Sequence, residues 1–70
     1  DSLAYKKNPS SNCVYGTSSA DYSGTTMTSG TASTISSCSP GDVIEVVEFN
    51  SSGKACAAGY VTLTSSDIKA

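Results

Sequence analysis

The chain has 70 residues, a net charge of −2, no His and no Trp, and about a third of its residues are Ser or Thr. A chain this short makes one domain and buries only about 60% of its unfolded surface, so a single core is marginal and covalent staples are expected. Its few cations, all Lys, exclude the basic footprint of a nucleic-acid reader or of a protein docked on anionic membrane, and no run nears the roughly 20 apolar residues that span a bilayer.

Residues 1–12, DSLAYKKNPSSN, alternate Leu3 and Tyr5 before a break at Asn8-Pro9-Ser10. They predict an N-terminal arm or an edge strand. The opening on Asp1 suits a chain processed before it reaches its destination, and a boundary inside a longer chain would read the same way. Residues 13–70 read as one β domain. CVYGT at 13–17 is a short strand candidate, with Val14 on one side and Cys13 and Tyr15 on the other. SSADYSG at 18–24 reads as a turn.

Residues 25–37, TTMTSGTASTISS, read as two short Thr-rich strands, TTMT and ASTIS, broken at Ser29-Gly30, or as a flexible Ser/Thr linker. Ser39-Pro40-Gly41-Asp42 is a turn, because Pro pre-sets φ and Gly accepts positive φ. The following DVIEVVEF is short and β-branched, which predicts a strand. Apolar residues on both its faces make it a central strand, or one with a bulge near Glu45. Glu45 and Glu48 fall on opposite faces and read as solvated charges that deter edge-to-edge aggregation.

Asn50 to Lys54 reads as a hairpin loop, and ACAAG at 55–59 as a small, apolar segment suited to close approach. In YVTLT, Val61 and Leu63 are expected inward and Tyr60, Thr62 and Thr64 outward. The tail SSDIKA would lay Ile68 over the sheet edge. The sum is an all-β protein: a small disulfide-stapled β-sandwich or barrel of five to six short antiparallel strands.

Three cysteines allow one internal disulfide and leave a thiol over. Any pairing is worth about 3–4 kcal/mol in the chain-entropy model, so energy does not choose among them. Cys13 and Cys56 each precede a strand-like run, and joining them would tie the start of the fold to its end. That topology favours Cys13–Cys56 and leaves the other pairings open. Cys38 is then a free thiol, or a handle for self-association through an intermolecular bridge. Three Cys without His or a CxxC spacing do not make a structural zinc site, and no cofactor is implied.

Catalytic machinery is sparse. The commonest general base, His, is missing; there is no GxSxG elbow and no phosphate-cradling loop. A non-enzymatic protein is expected. Asn50-Ser51-Ser52 matches an N-glycosylation acceptor in a predicted exposed hairpin. Tyr15, Tyr22 and Tyr60 are candidates for a partner surface, since Tyr gives large contact area at low entropic cost; the alternative is that they complete a thin core. An exposed strand edge would recruit a partner by β-addition.

Asn12-Cys13-Val14, the stretch GDVIEVVEFNSSGKAC and the position of Cys56 give the chain a resemblance to the ToxB-like fungal effectors, the MAX family. The resemblance covers residues 12–64. It implies a secreted β-sandwich of six strands, a bridge joining Cys13 to Cys56, and action by binding host proteins without catalysis. The function expected is therefore that of a secreted, effector-like binding protein working on a host or target protein through a strand edge. The alternatives are a structural subunit of an extracellular filament, pilus or coat, and a secreted toxin or enzyme inhibitor that would present Tyr22 on the SSADYSG loop.

Overall fold

A computed structural model describes residues 2–68. They form one four-stranded antiparallel sheet with no α-helix. Strands β1 (Ser2–Lys7), β2 (Thr25–Met27), β3 (Val43–Phe49) and β4 (Ala55–Thr62) lie in the order β2-β1-β3-β4. One-turn 3₁₀ helices at Ser19–Asp21 and Ser65–Asp67 punctuate the connections. The all-β expectation holds. The sheet has four strands among the described residues, not five to six, and it is single, not half of a sandwich.

The difference has local causes. CVYGT is a turn: the Thr17 amide and hydroxyl both donate to the Val14 carbonyl, at 3.0 and 2.6 Å, and Gly16 takes φ +88°. TTMT yields only the three residues of β2. ASTIS forms no strand and instead lies over the second face of the sheet. There Lys7 Nζ donates to the carbonyls of Ser37 at 2.8 Å and Ser36 at 3.4 Å.

The N-terminal segment is no arm. β1 sits inside the sheet, pairing Leu3 with Met27 on one side and Ala4 with Val47 on the other. Its stop is well built. Asn8 takes φ +53°, a conformation Asn tolerates better than most residues. The Asn8 amide donates to the Val43 carbonyl at 2.7 Å, and its Oδ1 accepts from the Val43 amide at 2.9 Å. Its Nδ2 donates to Asp42 at 3.1 Å. Asp42 in turn accepts from the Ser39 amide at 2.9 Å, closing the Pro40-Gly41 turn that launches β3.

β3 is the central strand, as its apolar residues on both faces predicted. Val47 and Phe49 point to one face, where they form the core with Ala4 and Ala55, flanked by Cys13 and Tyr22. Ile44 points to the other and is buried beside a cavity of about 650 Å³ that Ile35, Leu63 and Ile68 also line. Ile68 therefore covers a face and not an edge; the last two residues of the tail, 69 and 70, lie outside the described residues, as does Asp1. The bulge lies on the neighbouring strand β4 and not near Glu45 on β3. Glu48 pairs with Ala57 and Phe49 with Ala55, so Cys56 is the extra residue. Skipping one residue swings Ala55 from the face it would share with Ala57 into the core.

Gly24 is required by close approach. A Cβ there would lie 2.6 Å from the Tyr5 carbonyl oxygen and would overlap the Tyr22 ring. Tyr22 is held by a hydrogen bond, so the ring has nowhere to retreat. Gly24→Ala is expected to destabilise the protein by about 1–3 kcal/mol, the range for overpacking. Gly59→Ala, which meets nothing within 4 Å, is the matched control; urea unfolding of both variants measures the difference.

Candidate functional site: a buried carboxylate and the free edge of β4

Strand parity puts Glu45 on the same face as Val47 and Phe49, and the side chain is only 1% exposed. The expectation of a solvated strand charge is overturned. A buried ion needs several donors, and three converge here. Oε1 accepts from the Tyr22 hydroxyl at 2.7 Å. Oε2 accepts from the Tyr60 hydroxyl at 2.6 Å and from the Cys13 amide at 2.9 Å. The Cys13 amide is shared, reaching the Tyr60 oxygen at 3.0 Å as well. No buried side-chain nitrogen or oxygen is left without a partner among the described residues.

One donor comes from β4 and two from the long connection between β1 and β2. Tyr60 is the cross-strand partner of Glu45 on β4, which reverses its expected outward orientation. Tyr22 follows the 3₁₀ turn and meets Phe49 edge to face, with centroids 5.6 Å apart. Cys13 comes from the long connection after β1. On the other flank Lys6, paired with Glu45 on β1, holds its ammonium 4.5 Å from the centre of the Tyr22 ring, a cation–π distance.

Burial pushes the Glu45 carboxyl up, but the hydrogen bonds from Tyr60, Tyr22 and the Cys13 amide, with the field of Lys6, outweigh it. The net effect holds Glu45 below the usual glutamate value. Burial, then the hydrogen bond and charge of Glu45, raise Tyr22. Tyr60 is raised by its bond to Glu45, then by burial. Asp42 is lowered, by the Ser39 amide first and then by Asn8 and Lys7.

The candidate partner tyrosines therefore divide. Tyr22 and Tyr60 are anchored on Glu45, and only Tyr15, 83% exposed, stands free. The Asn50 side chain is turned inward on its own loop, its Oδ1 accepting from the amides of Ser52 at 3.0 Å and Lys54 at 3.1 Å. None of the three cysteines is bonded to another. Cys56 Sγ lies 3.5 Å from the Glu48 carbonyl and Cys38 Sγ lies 3.5 Å from the Ile35 carbonyl. Cys13 and Cys56 do share one cavity of about 230 Å³, which Val14, Tyr15, Ala55, Ala57 and Ala58 complete.

That cavity opens at the edge of the sheet. Backbone direction along β4 follows from its neighbours. The Leu63 amide donates to the Asp42 carbonyl at 2.8 Å, toward β3, so with unbroken register from Ala57 to Thr62 the odd residues bond β3. The N–H and C=O groups of Ala58, Tyr60 and Thr62 point away from the sheet, where no strand lies. Among the described residues, only the start of this edge is covered: the Ala55 amide donates to the Thr17 carbonyl and its carbonyl accepts from the Gly16 amide, both at 2.8 Å.

No protein-family model matches the chain, and neither a curated protein nor a solved structure matches it.

Glu45→Gln keeps one acceptor but turns an amide NH₂ toward a donor, and is expected to cost about 1–3 kcal/mol. The pH dependence follows from the direction of the shift. A carboxyl depressed in the native state stabilises fully above the ordinary glutamate value of about 4.3 and loses that contribution as pH falls through the native value. Urea midpoints measured from pH 6 downward should fall in the wild type and fall less steeply in Glu45→Gln; parallel curves would show that Glu45 carries no such linkage.

Proposed function

We propose that this protein is a secreted, non-enzymatic binding module that adds an extended segment of a target protein to the free edge of β4. One observation carries the reading. β4 is the longest strand, it ends the sheet, and from Ala55 to Thr62 it bears no charge. Proteins ordinarily blunt such an edge with Lys, Pro, a bulge or a covering loop. Here the bulge at Cys56 and the contact with Thr17 guard only the beginning. The opposite edge, β2, has three residues and offers little to pair with.

In β-addition the main chain supplies affinity and side-chain pockets supply specificity. Val14 and Tyr15, which wall the cavity beside Ala55–Ala58, offer an incoming strand apolar side chains to pack against. The effector-like character and a target outside the producing cell rest on the resemblance to ToxB-like proteins and on a Ser/Thr-rich, Arg-free composition. The expected six-stranded sandwich is not needed for this mode of binding.

Extended peptides selected from a display library on the wild-type protein should lose binding to Ala58→Pro, which removes an outward N–H that Pro can vacate at an edge. They should keep binding to Thr26→Pro, the equivalent change on β2. Binders indifferent to Ala58→Pro would count against edge addition.

The staple belongs to the same reading. In an oxidising compartment Cys13 and Cys56 join across the cavity they line, the two thiols giving up two protons and two electrons to a disulfide oxidant such as oxidised glutathione. Peptide mapping with thiol labelling, after equilibration with oxidised glutathione, should find Cys13–Cys56 bridged and Cys38 labelled. A bridge from Cys38 to either would exclude it.

A further inference from the structure

Building on the edge-binding reading, we infer that in the absence of a target the edge of β4 is occupied by the β4 of a second copy, related by a two-fold axis through Gly59.

The large exposed apolar residues among those described lie on β4 or beside its start. Val14 and Tyr15 are 71% and 83% exposed, Tyr60 and Val61 42% and 49%. The first pair lines the cavity beside Ala55–Ala58, and the second lies on β4 itself. Apolar surface gathered along an unpaired strand marks an interaction site more than scattered exposure does.

β4 is its own best complement. It carries no charge, so an antiparallel copy buries no unpaired ion and meets no like charge. With the axis at Gly59, Tyr60 of one copy lies beside Ala58 of the other on the core face. Val61 lies beside Ala57 on the opposite face. Every large side chain meets a small one. The outward groups of Ala58 and Tyr60 then form two hydrogen-bonded pairs, and Gly59 faces Gly59 at a non-hydrogen-bonded position, where strands approach most closely. An axis at Tyr60 would instead oppose the two tyrosines.

The length also fits. Counting from Gly59, Thr62 of the second copy falls opposite Cys56. The next position, Ala55, is already paired with Thr17, and Thr62 is where β4 ends. The added strand therefore stops where the edge is already covered. An isologous contact of this kind uses the same patch twice and closes on itself. With only three residues in β2 at the other edge, the assembly stops at a dimer and does not grow into a filament.

Gly59 provides the test, because a side chain there meets nothing within 4 Å in the single chain. Sedimentation equilibrium under reducing conditions, which removes any bridge through Cys38, should find the wild type dimeric. Gly59→Glu and Gly59→Lys each place like charges face to face and should weaken the dimer by about fivefold or more. Mixing the two variants in equal amounts should restore it. A wild type that stays monomeric into the millimolar range overturns the inference, as do variants that dimerise as well as the wild type. Failure of the edge-binding reading is separate: a monomer whose selected peptides still require the Ala58 amide refutes self-pairing alone, whereas peptides indifferent to Ala58→Pro refute the reading beneath it.

Discussion

The Glu45 carboxylate, buried under the sheet and bonded to two tyrosines and a main-chain amide, is what the rest of the structure is arranged around. The apolar core is thin: Ala4, Val47, Phe49 and Ala55, with Cys13 and Tyr22 against it. Two alanines, one valine and one phenylalanine do little to hold the long connection between β1 and β2 onto the sheet. Glu45 supplies the missing attachment, because two of its donors, Cys13 and Tyr22, lie on that connection. A charge in such a place is destabilising by itself, and removing its donors would leave it so. The arrangement therefore works as a set. Its merit over an apolar residue is direction: it fixes where Tyr22, Tyr60 and the Cys13 backbone lie, which a methyl group would not.

How much of this was readable in the sequence depended on whether the deciding interaction was local. The Pro40-Gly41 turn, the strand Val43–Phe49 and the Asn50–Lys54 loop follow from neighbouring residues, and they appear where expected. Gly16 shows the opposite case. CVYGT has strand-forming residues, but its backbone is diverted to Glu45 and Ala55, partners more than thirty residues away. β1 had the right composition and the wrong neighbours: nothing in DSLAYKK announces that Thr25–Met27 will pair with it and make it internal. Glu45 was legible in principle. It shares strand parity with Val43, Val47 and Phe49, which marks the core face; a charge on that face signals a buried polar cluster, and Tyr60 and Tyr22 were the hydroxyls available to meet it.

The position of the bulge explains another reversal. Val61 alternates with Leu63 and resembles a core residue, yet it is half exposed. The core face of β4 was set from the other end, by Ala55 opposite Phe49 and Tyr60 opposite Glu45. Those two residues have opposite parity, so a single extra residue between them is necessary, and Cys56 is that residue. Periodicity alone cannot register such a slip, because a bulge inverts every assignment beyond it.

Tyr60 joins the two halves of the functional argument. Its hydroxyl belongs to the Glu45 cluster and its main chain belongs to the uncovered edge. A strand added along β4 would bond the Tyr60 N–H and C=O, while Glu45 holds the ring from the opposite direction. The Tyr60 ring is therefore held on the core face while its main chain faces outward. The same connection runs backward. Protonating Glu45 turns an anionic acceptor that serves three donors into a neutral carboxyl, whose proton can be placed only by turning one tyrosine hydroxyl from donor to acceptor. The charge-assisted bonds to Tyr60, Tyr22 and the Cys13 backbone weaken together. The 13–15 segment forms one wall of the cavity beside β4, so acid acting on Glu45 would loosen that wall through the Cys13 amide.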